Sequence, residues 1–420
     1  METAATDDFL DSLTKSGLLS RSEIEAAKRE HGLEAKPTAK DVADVLVNEG
    51  ILTLYQAGRL LDGNHRGLVI DGYKLLYMVG SGGMGFVYAA QEPDSPWKVA
   101  IKVLSEELEK DPGALSRFQL EAEAGMRLSH PNVVRTLAIN KTENIYGTIH
   151  YVVMELIQGV SLVELLEIRR PISYQRASDI ILQVAEGLHY AHQDGLVHRD
   201  MKPENLMIRS NGSAKVLDFG LALLDESGQE FAMSMIHGQN CVGTADFIAP
   251  EQSIDSYNVD QRADIYGLGC TFYAALTCKV PFPTKSVPEK LEAHRTKHPR
   301  EIQEIRPDVP DRLAKIIRKM MAKKPEDRFQ SCAEVAAYLK PFAKRKEVHF
   351  DFQKILAKRA KRAERRRLKK ILQQSGSSIV GSAMNSRLQQ SSVETIVGQD
   401  TPASRRDDKP NDLGLQSTDQ

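Results

Sequence analysis

The sequence is poor in cysteine and tryptophan, and it has no long apolar run. Four of its 420 residues are cysteine and none lies in a CxxC pair, which favours a reducing compartment over a disulfide framework or a zinc site. No apolar stretch approaches the roughly 20 residues that span a bilayer. The acidic, polar start METAATDDFL lacks the basic and apolar regions of a secretory signal. We therefore expect a cytoplasmic protein without a transmembrane segment.

Strong charge of either sign is also missing. The net charge is −1, and 41% of the residues are hydrophobic and 27% charged. These fractions are ordinary for a globular protein and give no whole-molecule attraction to nucleic acid. The length predicts two or three folded units.

Residues 1–65 contain a repeated helical pattern. Each repeat has a glycine that can end a helix in a left-handed conformation, then a capping Ser or Thr, then Glu or Gln three residues later, as in a capping box. These residues are Gly17, Ser20 and Glu23 in the first repeat, and Gly50, Thr53 and Gln56 in the second. The pattern predicts a small α-helical domain of two helical hairpins, acting as a folding or docking accessory, with a turn-rich linker at 66–72.

A glycine cluster follows the linker in YKLLYMVGSGGMGFVYAA. Gly80, Gly82 and Gly85 form a GxGxxG pattern, but the β-prone Phe86 and Val87 come next, where a dinucleotide-binding motif would need a helix. We predict a strand–turn–strand hairpin. Its glycines would let backbone amides approach phosphates; a plain hairpin is the alternative interpretation.

One lysine, Lys102, lies inside the apolar strand pattern KVAIKV at 98–103. A buried lysine without a partner is costly, so it either reaches out at a strand end or binds phosphates beside a carboxylate. The helical pattern at 117–128 offers Glu121 and Glu123, on different faces of the helix. Glu121 is the better candidate partner.

The most informative stretch is VHRDMKPENLMIRSNGSAKVLDFG, at 197–220. Asp200 is followed by Lys202, Asn205 and, eighteen residues on, Asp218. An ordinary core does not require this arrangement. Phosphoryl transfer from ATP does, because a carboxylate must orient the acceptor hydroxyl and oxygen ligands must hold magnesium. We interpret Asp200 as that carboxylate, and Asn205 and Asp218 as the metal ligands.

Six motifs in this order resemble those of a protein kinase domain, and more closely the bacterial Hanks-type serine/threonine kinases. They are GSGGMG at 80–85, VAIK at 99–102, HRDMKPEN at 198–205, DFG at 218–220, GTADFIAPE at 243–251 and DIYGLG at 264–269. The resemblance covers residues 73–342. It implies an α+β, two-lobed kinase fold with a small β-rich lobe, a large α-helical lobe and ATP in the cleft between them.

The resemblance also implies a role for each matching residue on the nucleotide side. Lys102 would hold the α- and β-phosphates and pair with Glu121, and Glu155 would lie in the hinge that receives adenine, behind Met154. The loop that covers the phosphates would consist of Val79, Gly80, Ser81, Gly82, Gly83, Met84, Gly85, Phe86 and Val87.

On the transfer side, Asp200 and Lys202 would be catalytic, and Asn205 and Asp218 would bind Mg²⁺. Lys202, together with Thr244, favours serine or threonine acceptors in protein substrates, the protein itself included. Two further pairings would be structural: Glu251 with Arg328, and Asp264 with the backbone of the catalytic loop.

One departure from the family pattern concerns Gly125, four residues after Glu121, where a larger apolar residue is common. Glycine inside a helix costs about 1 kcal/mol relative to alanine. We therefore expect the Lys102–Glu121 pair to be lost more easily here.

The segment 221–249 is long and has few hydroxyls. Arg199 precedes the catalytic aspartate, which in the family marks kinases switched by phosphorylation of this segment, and a phosphate could pair with it. Ser234 is the first candidate, then Ser227; an exposed loop serine is the alternative. Cys241 is expected to be an inert thiol.

The C-terminal part is basic and then polar. Between 354 and 370 there are ten Lys or Arg against one Glu, which predicts a basic helix at 343–372. This helix could bind anionic lipid, nucleic acid or an acidic partner, or simply be solvated. Residues 373–420 are predicted to be a disordered tail whose hydroxyls, such as Ser377, Ser378 and Thr395, are candidate autophosphorylation sites.

Overall fold

The computed structural model describes residues 6–144, 147–219, 244–255, 258–359 and 361–362. The described helices are α1 (Thr6–Ser16), α2 (Arg21–His31), α3 (Ala39–Asn48), α4 (Leu54–Leu61), α5 (Glu106–Glu109), α6 (Pro112–Arg127), α7 (Leu162–Ile168), α8 (Tyr174–Gln193), α9 (Arg262–Thr277), α10 (Val287–Thr296), α11 (Ile302–Ile305), α12 (Asp311–Met320) and α13 (Cys332–Leu339). The described strands are β1 (Val69–Ile70), β2 (Tyr73–Ser81), β3 (Gly85–Gln91), β4 (Lys98–Leu104), β5 (Thr136–Asn144), β6 (Gly147–Glu155), β7 (Gly159–Ser161), β8 (Leu206–Arg209) and β9 (Ala214–Val216).

Helices α1 to α4 make up the predicted N-terminal α-helical region, where α3 and α4 pack against each other and against α1. Gly17 and Gly50 have φ of 71° and 72°, a left-handed conformation that ends a helix without the strain of a Cβ. The predicted capping boxes at the starts of α2 and α4 are both present. An apolar cluster that includes Phe9, Leu13 and Leu46 is almost fully buried between the helices, so the hairpins have a core of their own.

A six-stranded antiparallel sheet makes up the small lobe, in the order β1-β2-β3-β4-β6-β5. The predicted strand–turn–strand hairpin is formed by β2 and β3, with the glycine cluster at its turn. KVAIKV at 98–103 lies in β4, as predicted. Helix α6 begins with Pro112 after the N-cap Asp111, whose side chain accepts from the amide of Gly113.

The large lobe is built around α8 and α9. Every residue of α9 from Ala263 to Thr277 is buried, which is typical of a helix packed on all sides. A small sheet, in the order β7-β8-β9, lies at the start of this lobe. Asn205 directly precedes β8, and Asp218 follows β9 by two residues. One antiparallel pair of strands therefore positions both predicted metal ligands.

The C-terminal basic segment starts differently from the prediction. Residues 343–351 have no regular secondary structure, and helical residues begin at 352 and continue to 359, rather than from 343. The segment is held on the large lobe: the amide of Val348 donates to the carbonyl of Ser210 at 2.7 Å, and Val348 and Ile355 are buried. Tertiary packing therefore keeps the first nine residues out of a helix.

Several sequence predictions fall on residues outside the described ranges. They concern Gly220, Ser227, Ser234, Cys241, the basic residues 363–372, and the tail 373–420 with Ser377, Ser378 and Thr395. None of the helices within the described ranges is long and apolar enough to cross a bilayer.

Candidate active site

Lys102 in β4 lies between two carboxylates. Its Nζ is 2.7 Å from Glu121 Oε1, on α6, and 3.4 Å from Asp218 Oδ2. The predicted Lys102–Glu121 pairing is therefore present, with both side chains largely buried. Burial lowers the pKa of Lys102, but the charges of Asp218 and Glu121 outweigh it and raise that pKa, so the ammonium stays protonated. The site carries a fixed positive charge suited to phosphate.

The glycines of the β2–β3 turn serve two purposes. A Cβ added at Gly80, Gly82 or Gly83 would meet nothing within 4 Å, so these positions leave the backbone open to a ligand. A Cβ at Gly85 would lie 1.9 Å from the carbonyl oxygen of Val103 on the neighbouring strand. Gly85 is therefore required by strand packing, whatever binds the turn.

The segment 198–205 brings the transfer residues together. Lys202 Nζ lies 2.6 Å from Asp200 Oδ2. The side-chain amide of Asn205 donates to the backbone carbonyl of Asp200 at 2.7 Å and to its carboxylate at 3.2 Å. Because the NH₂ group is turned towards Asp200, the carbonyl oxygen of the Asn205 side chain is the atom presented on the other side.

A buried carboxylate, Asp264, holds this segment in place. Its two oxygens accept the amides of His198 and Arg199 at 2.8 and 2.7 Å, and His192 Nε2 lies 2.7 Å away. Arg199 is held at φ 65°, a strained value for a residue with a side chain. The prediction that Asp264 holds the catalytic-loop backbone is confirmed.

His198 links the segment to the chain before Asp218. Its Nδ1 lies 3.2 Å from the amide of Asp200, which must be the donor. The proton therefore sits on Nε2, which donates to the carbonyl of Leu217 at 2.9 Å. One imidazole thus fixes the spacing between Asp200 and the strand end that carries Asp218.

The side chain of Glu155, which the sequence places in the hinge, is engaged by other protein groups. The Glu155 carboxylate accepts from the amide of Arg135 at 2.9 Å and from Lys215 Nζ at 2.5 Å. These contacts tie the side chain to the junction of the two lobes. A role for Glu155 in adenine binding therefore depends on its main chain.

A buried apolar cluster includes Met154, the residue before Glu155. Ala100, Met154 and Met207 belong to one buried cluster, with Val87 and Leu156 packed against it. Apolar side chains of this kind suit a flat aromatic base. Sequence reasoning did not single out Ala100 or Met207, because an apolar residue in a strand shows the same pattern whatever it contacts.

The residues present fit a divalent cation held partly by its phosphate ligand. Within the described ranges no group of three His, Cys, Asp or Glu side chains could hold a metal by itself. Mg²⁺ typically binds through one or two carboxylates plus phosphate oxygens and waters. Asp218, whose side chain is 41% exposed, and the side-chain oxygen of Asn205 are donors of this kind.

Glu251 and Arg328 form the predicted ion pair of the large lobe. Two parallel hydrogen bonds of 2.6 and 2.7 Å join them, and the Arg328 side chain is fully buried. This pair lies apart from the transfer residues and fixes the chain after Pro250. Its role is structural.

The chain is similar in sequence to known protein kinases. The family model of the protein kinase domain matches residues 73–338. The serine/threonine-protein kinase PknB of Mycolicibacterium smegmatis is 36% identical over 270 residues, which cover 64% of this chain and 42% of the relative. A probable serine/threonine-protein kinase of Clostridium perfringens is 34% identical over 272 residues, covering 65% of this chain and 38% of the relative. The match thus spans less than half the length of these curated relatives.

Solved structures agree on the fold. The PknI kinase domain of Mycobacterium tuberculosis has a TM-score of 0.50 at 29% identity, covering 66% of this chain and 97% of that chain. The two-lobed fold and the family predicted from the sequence are confirmed. The matched region takes in the glycine turn, the Lys102–Glu121 pair and the transfer residues, and it makes up more than half of the chain; the chain therefore belongs to the protein kinase domain family.

Proposed function

We propose that the protein is a serine/threonine protein kinase that transfers the γ-phosphate of Mg²⁺-bound ATP to protein hydroxyls, its own included. The observation that carries the proposal is the set formed by Asp200, Lys202 and Asn205, together with the Lys102–Glu121 pair in its assembled state. Phosphoryl transfer needs positioning and charge neutralisation more than covalent chemistry, and each required charge is present.

Different residues of the site bind the phosphates, bind the metal and carry out the transfer. Lys102 binds the α- and β-phosphates from the small lobe, and the open turn at Gly80, Gly82 and Gly83 covers them. Asn205 and Asp218 would hold Mg²⁺, which would supply positive charge against the phosphates. The remaining pair, Asp200 and Lys202, acts on the transferred group.

Asp200 accepts the proton of the attacking hydroxyl as the oxygen–phosphorus bond forms. The bond between the γ-phosphorus and the β–γ bridging oxygen breaks, and ADP leaves with the electron pair. Lys202, 2.6 Å from Asp200, stabilises the charge of the transferred phosphoryl group.

A phosphate-transfer assay with Mg²⁺, ATP and a generic basic protein tests the proposal. Asp200→Asn should lower the rate by about 10²–10⁴-fold, the usual contribution of a general base. The matched control is Asp194→Asn, on the C-cap of α8 with a side chain 48% exposed, which should keep the wild-type rate. Phosphate found on tyrosine, or equal rates for Asp200→Asn and wild type, would contradict the proposal.

A partner for the basic segment is a separate part of the proposal. Arg359 and Arg362 bind Glu164 and Glu167 of α7 within the same chain. These two arginines are therefore occupied, whereas Lys354, Lys358 and Lys361 of the same helix are exposed and open to an anionic lipid, nucleic acid or acidic protein. Association with anionic vesicles that is lost on deleting 343–420 would support such a partner; unchanged association would dismiss it.

Regulation through Ser234 and a cytoplasmic location also belong to the proposal. A phosphate on Ser234 would bring a charge that Arg199 can bind. Ser234→Ala should lower kinase activity, and Ser227→Ala tests the second candidate in the same way. Unchanged activity of Ser234→Ala would remove this switch.

A further inference from the structure

Two side chains of α4, in the N-terminal helical domain, donate hydrogen bonds to the backbone of β2. The hydroxyl of Thr53 donates to the carbonyl of Leu76 at 2.6 Å, and Gln56 Nε2 donates to the carbonyl of Leu75 at 2.8 Å. Gln56 is buried, with 4% of its surface exposed. These contacts connect a helix of the N-terminal helical domain to the strand that leads into the glycine turn.

The two carbonyls belong to an irregular part of β2. Leu75 pairs with Ala90 on β3, and Tyr77 pairs with the next residue, Ala89. Leu76 is therefore the extra residue of a β-bulge and has no partner residue on β3. On the other edge, β1 pairs only with Tyr73 and Lys74. Beyond the residues of β2 that pair with β1, side chains of α4 donate hydrogen bonds to the β2 backbone.

The same two residues form the capping box of α4. The amide of Thr53 donates to Gln56 Oε1 at 2.8 Å, and the amide of Gln56 donates to the Thr53 hydroxyl at 3.2 Å. Gln56 thus uses its oxygen for the helix and its NH₂ for β2. A glutamate could cap the helix equally well but could not donate to Leu75.

The first hairpin provides an internal comparison. Ser20 and Glu23 make the same reciprocal bonds at the start of α2, at 2.6 and 3.2 Å, yet both residues are exposed. The carboxylate of Glu23 has no donor to offer. Of the two capping boxes in the N-terminal helical domain, that of α4 therefore has the side chain that can donate to β2.

A second line of contact runs through aromatic rings. Tyr55 of α4 lies 6.1 Å from Tyr88 of β3, centroid to centroid, and Tyr88 lies 6.3 Å from Phe86. Phe86 pairs with Ser81 across the β2–β3 hairpin. The hydrogen bonds to β2 and the aromatic contacts to β3 therefore both connect α4 to the two strands that flank the turn with Gly82 and Gly83.

We propose that Thr53 and Gln56 are positioning residues for ATP: by fixing the bulge of β2 they set the place of the glycine turn, so the N-terminal helical domain tunes the affinity of the kinase lobe for ATP. The proposal rests on the proposed function for the identity of the ligand. Its direct readout is binding, which does not require phosphate transfer. A failed transfer assay would therefore overturn the proposed function while leaving this proposal testable.

The test exchanges the same two side chains in the two hairpins of the full-length chain. Gln56→Glu keeps the cap but removes the donor and places a carboxylate against the Leu75 carbonyl. Glu23→Gln makes the opposite change in the exposed box. The dissociation constant for Mg²⁺-bound ATP, measured by calorimetry, should rise about tenfold for Gln56→Glu, the usual effect of losing one buried hydrogen bond, and stay unchanged for Glu23→Gln.

Steady-state kinetics distinguish a positioning role for Gln56 from a purely structural one, because the two roles change KM and kcat differently. For Gln56→Glu the KM for ATP should rise while kcat at saturating ATP is kept, because the transfer residues are untouched. A structural role would lower the active fraction and leave KM unchanged. Equal dissociation constants for Gln56→Glu and wild type, or an equal loss in both hairpins, would overturn the proposal.

A second pair of variants covers the case in which Gln56→Glu does not fold. Thr53→Val is nearly isosteric but has no hydroxyl, whereas Thr53→Ser keeps the hydroxyl. Weaker ATP binding for Thr53→Val with wild-type binding for Thr53→Ser would support the role. Wild-type ATP binding for Thr53→Val would overturn it.

Discussion

Arg359 of the C-terminal basic helix makes a two-pronged ion pair with Glu164 of α7. Its Nη2 and Nε lie 2.6 and 2.8 Å from the two carboxylate oxygens, and the side chains are 11% and 13% exposed. Glu164 also accepts a hydrogen bond from the amide of Ser161 at 2.8 Å, as the N3 residue of the capping box that begins α7. One carboxylate therefore caps α7 and holds the basic segment on the large lobe.

Removing Arg359 should release the basic helix. Because the pair is bidentate and largely buried, we expect Arg359→Ala to lower the free energy of unfolding by about 1–3 kcal/mol, measured by urea unfolding. The control is Arg362→Ala, whose pair with Glu167 is more exposed and should contribute less than about 1 kcal/mol. Equal effects of the two variants would contradict the assignment.

The same pair predicts a dependence on pH. Burial raises the pKa of Glu164, but Arg359 and the Ser161 amide outweigh it, and the pKa lies below its usual 4.5. The pair therefore stabilises the fold at neutral pH, and this contribution is lost as the pH falls through the lowered pKa. The difference in unfolding free energy between wild type and Arg359→Ala should shrink as the pH falls below 4.5; a constant difference would exclude the ion pair as its source.

Gly125 is the next test, because the structure changes what its replacement should do. The sequence suggested that a larger side chain would strengthen the Lys102–Glu121 pair. However, a Cβ at Gly125 would lie 2.4 Å from Thr136 Oγ1, so the hydroxyl of Thr136 already fills this space. Gly125→Leu alone would force Thr136 to move.

We therefore expect the two positions to be coupled. Gly125→Ala should destabilise the protein, while Gly125→Ala with Thr136→Ala should recover stability, since the clash is gone and alanine favours the helix by about 1 kcal/mol. Urea unfolding of the four variants gives the interaction free energy, which should be about 0.5–3 kcal/mol. The double variant should also bind ATP more tightly than wild type. Additive effects would show that Thr136 does not limit this position.

The capping boxes could be predicted from the sequence, whereas the contact of Gly125 with Thr136 could not. Ser20, Glu23, Thr53 and Gln56 were predicted because a capping box is complete within four residues of chain. Thr136 could not be found in this way, since only the packing of α6 on β5 brings it to Gly125. The pairings of Lys102 with Glu121 and of Asp264 with the catalytic loop were available because family motifs carry such contacts with them.

The basic segment shows where a local sequence pattern predicts the wrong secondary structure. Its charge pattern predicted a helix from 343, yet the segment has no helical residues before 352. The arginines Arg169 and Arg176 of the large lobe donate to the carbonyls of His349 and Glu347. A local pattern cannot show that such donors hold the backbone outside a helix.

Asp264 offers a third prediction. Burial raises its pKa, but hydrogen bonding to His192 and the amide of His198 outweigh this, and the pKa is lowered from 3.8. The carboxylate thus stays charged across neutral pH. Asp264→Asn turns an NH₂ group towards an amide donor, so we expect it to lower the unfolding free energy by about 1–3 kcal/mol and to lower kcat.

The control for Asp264 lies one turn away in the same chain segment. Asp260 binds Arg262 with a side chain that is 55% exposed, so Asp260→Asn should change stability by less than about 1 kcal/mol and leave kcat unchanged. Because the pKa of Asp264 is lowered, its contribution is lost only as the pH falls below 3.8. If Asp264→Asn kept the wild-type kcat, Asp264 would not be what orients the catalytic loop.

The glycine turn provides the last prediction, because two of its glycines should fail in different ways. Gly82→Ala places a methyl group in open space, so the protein should fold normally and show a higher KM for ATP. Gly85 has φ 153°, and its Cβ would lie 1.9 Å from the Val103 carbonyl oxygen. Gly85→Ala must therefore push β3 from β4, which should lower the melting temperature by several degrees and weaken ATP binding as a consequence. Thermal unfolding and ATP titration of both variants separate the two roles; a lower melting temperature for Gly82→Ala, or an unchanged one for Gly85→Ala, would reverse the assignment.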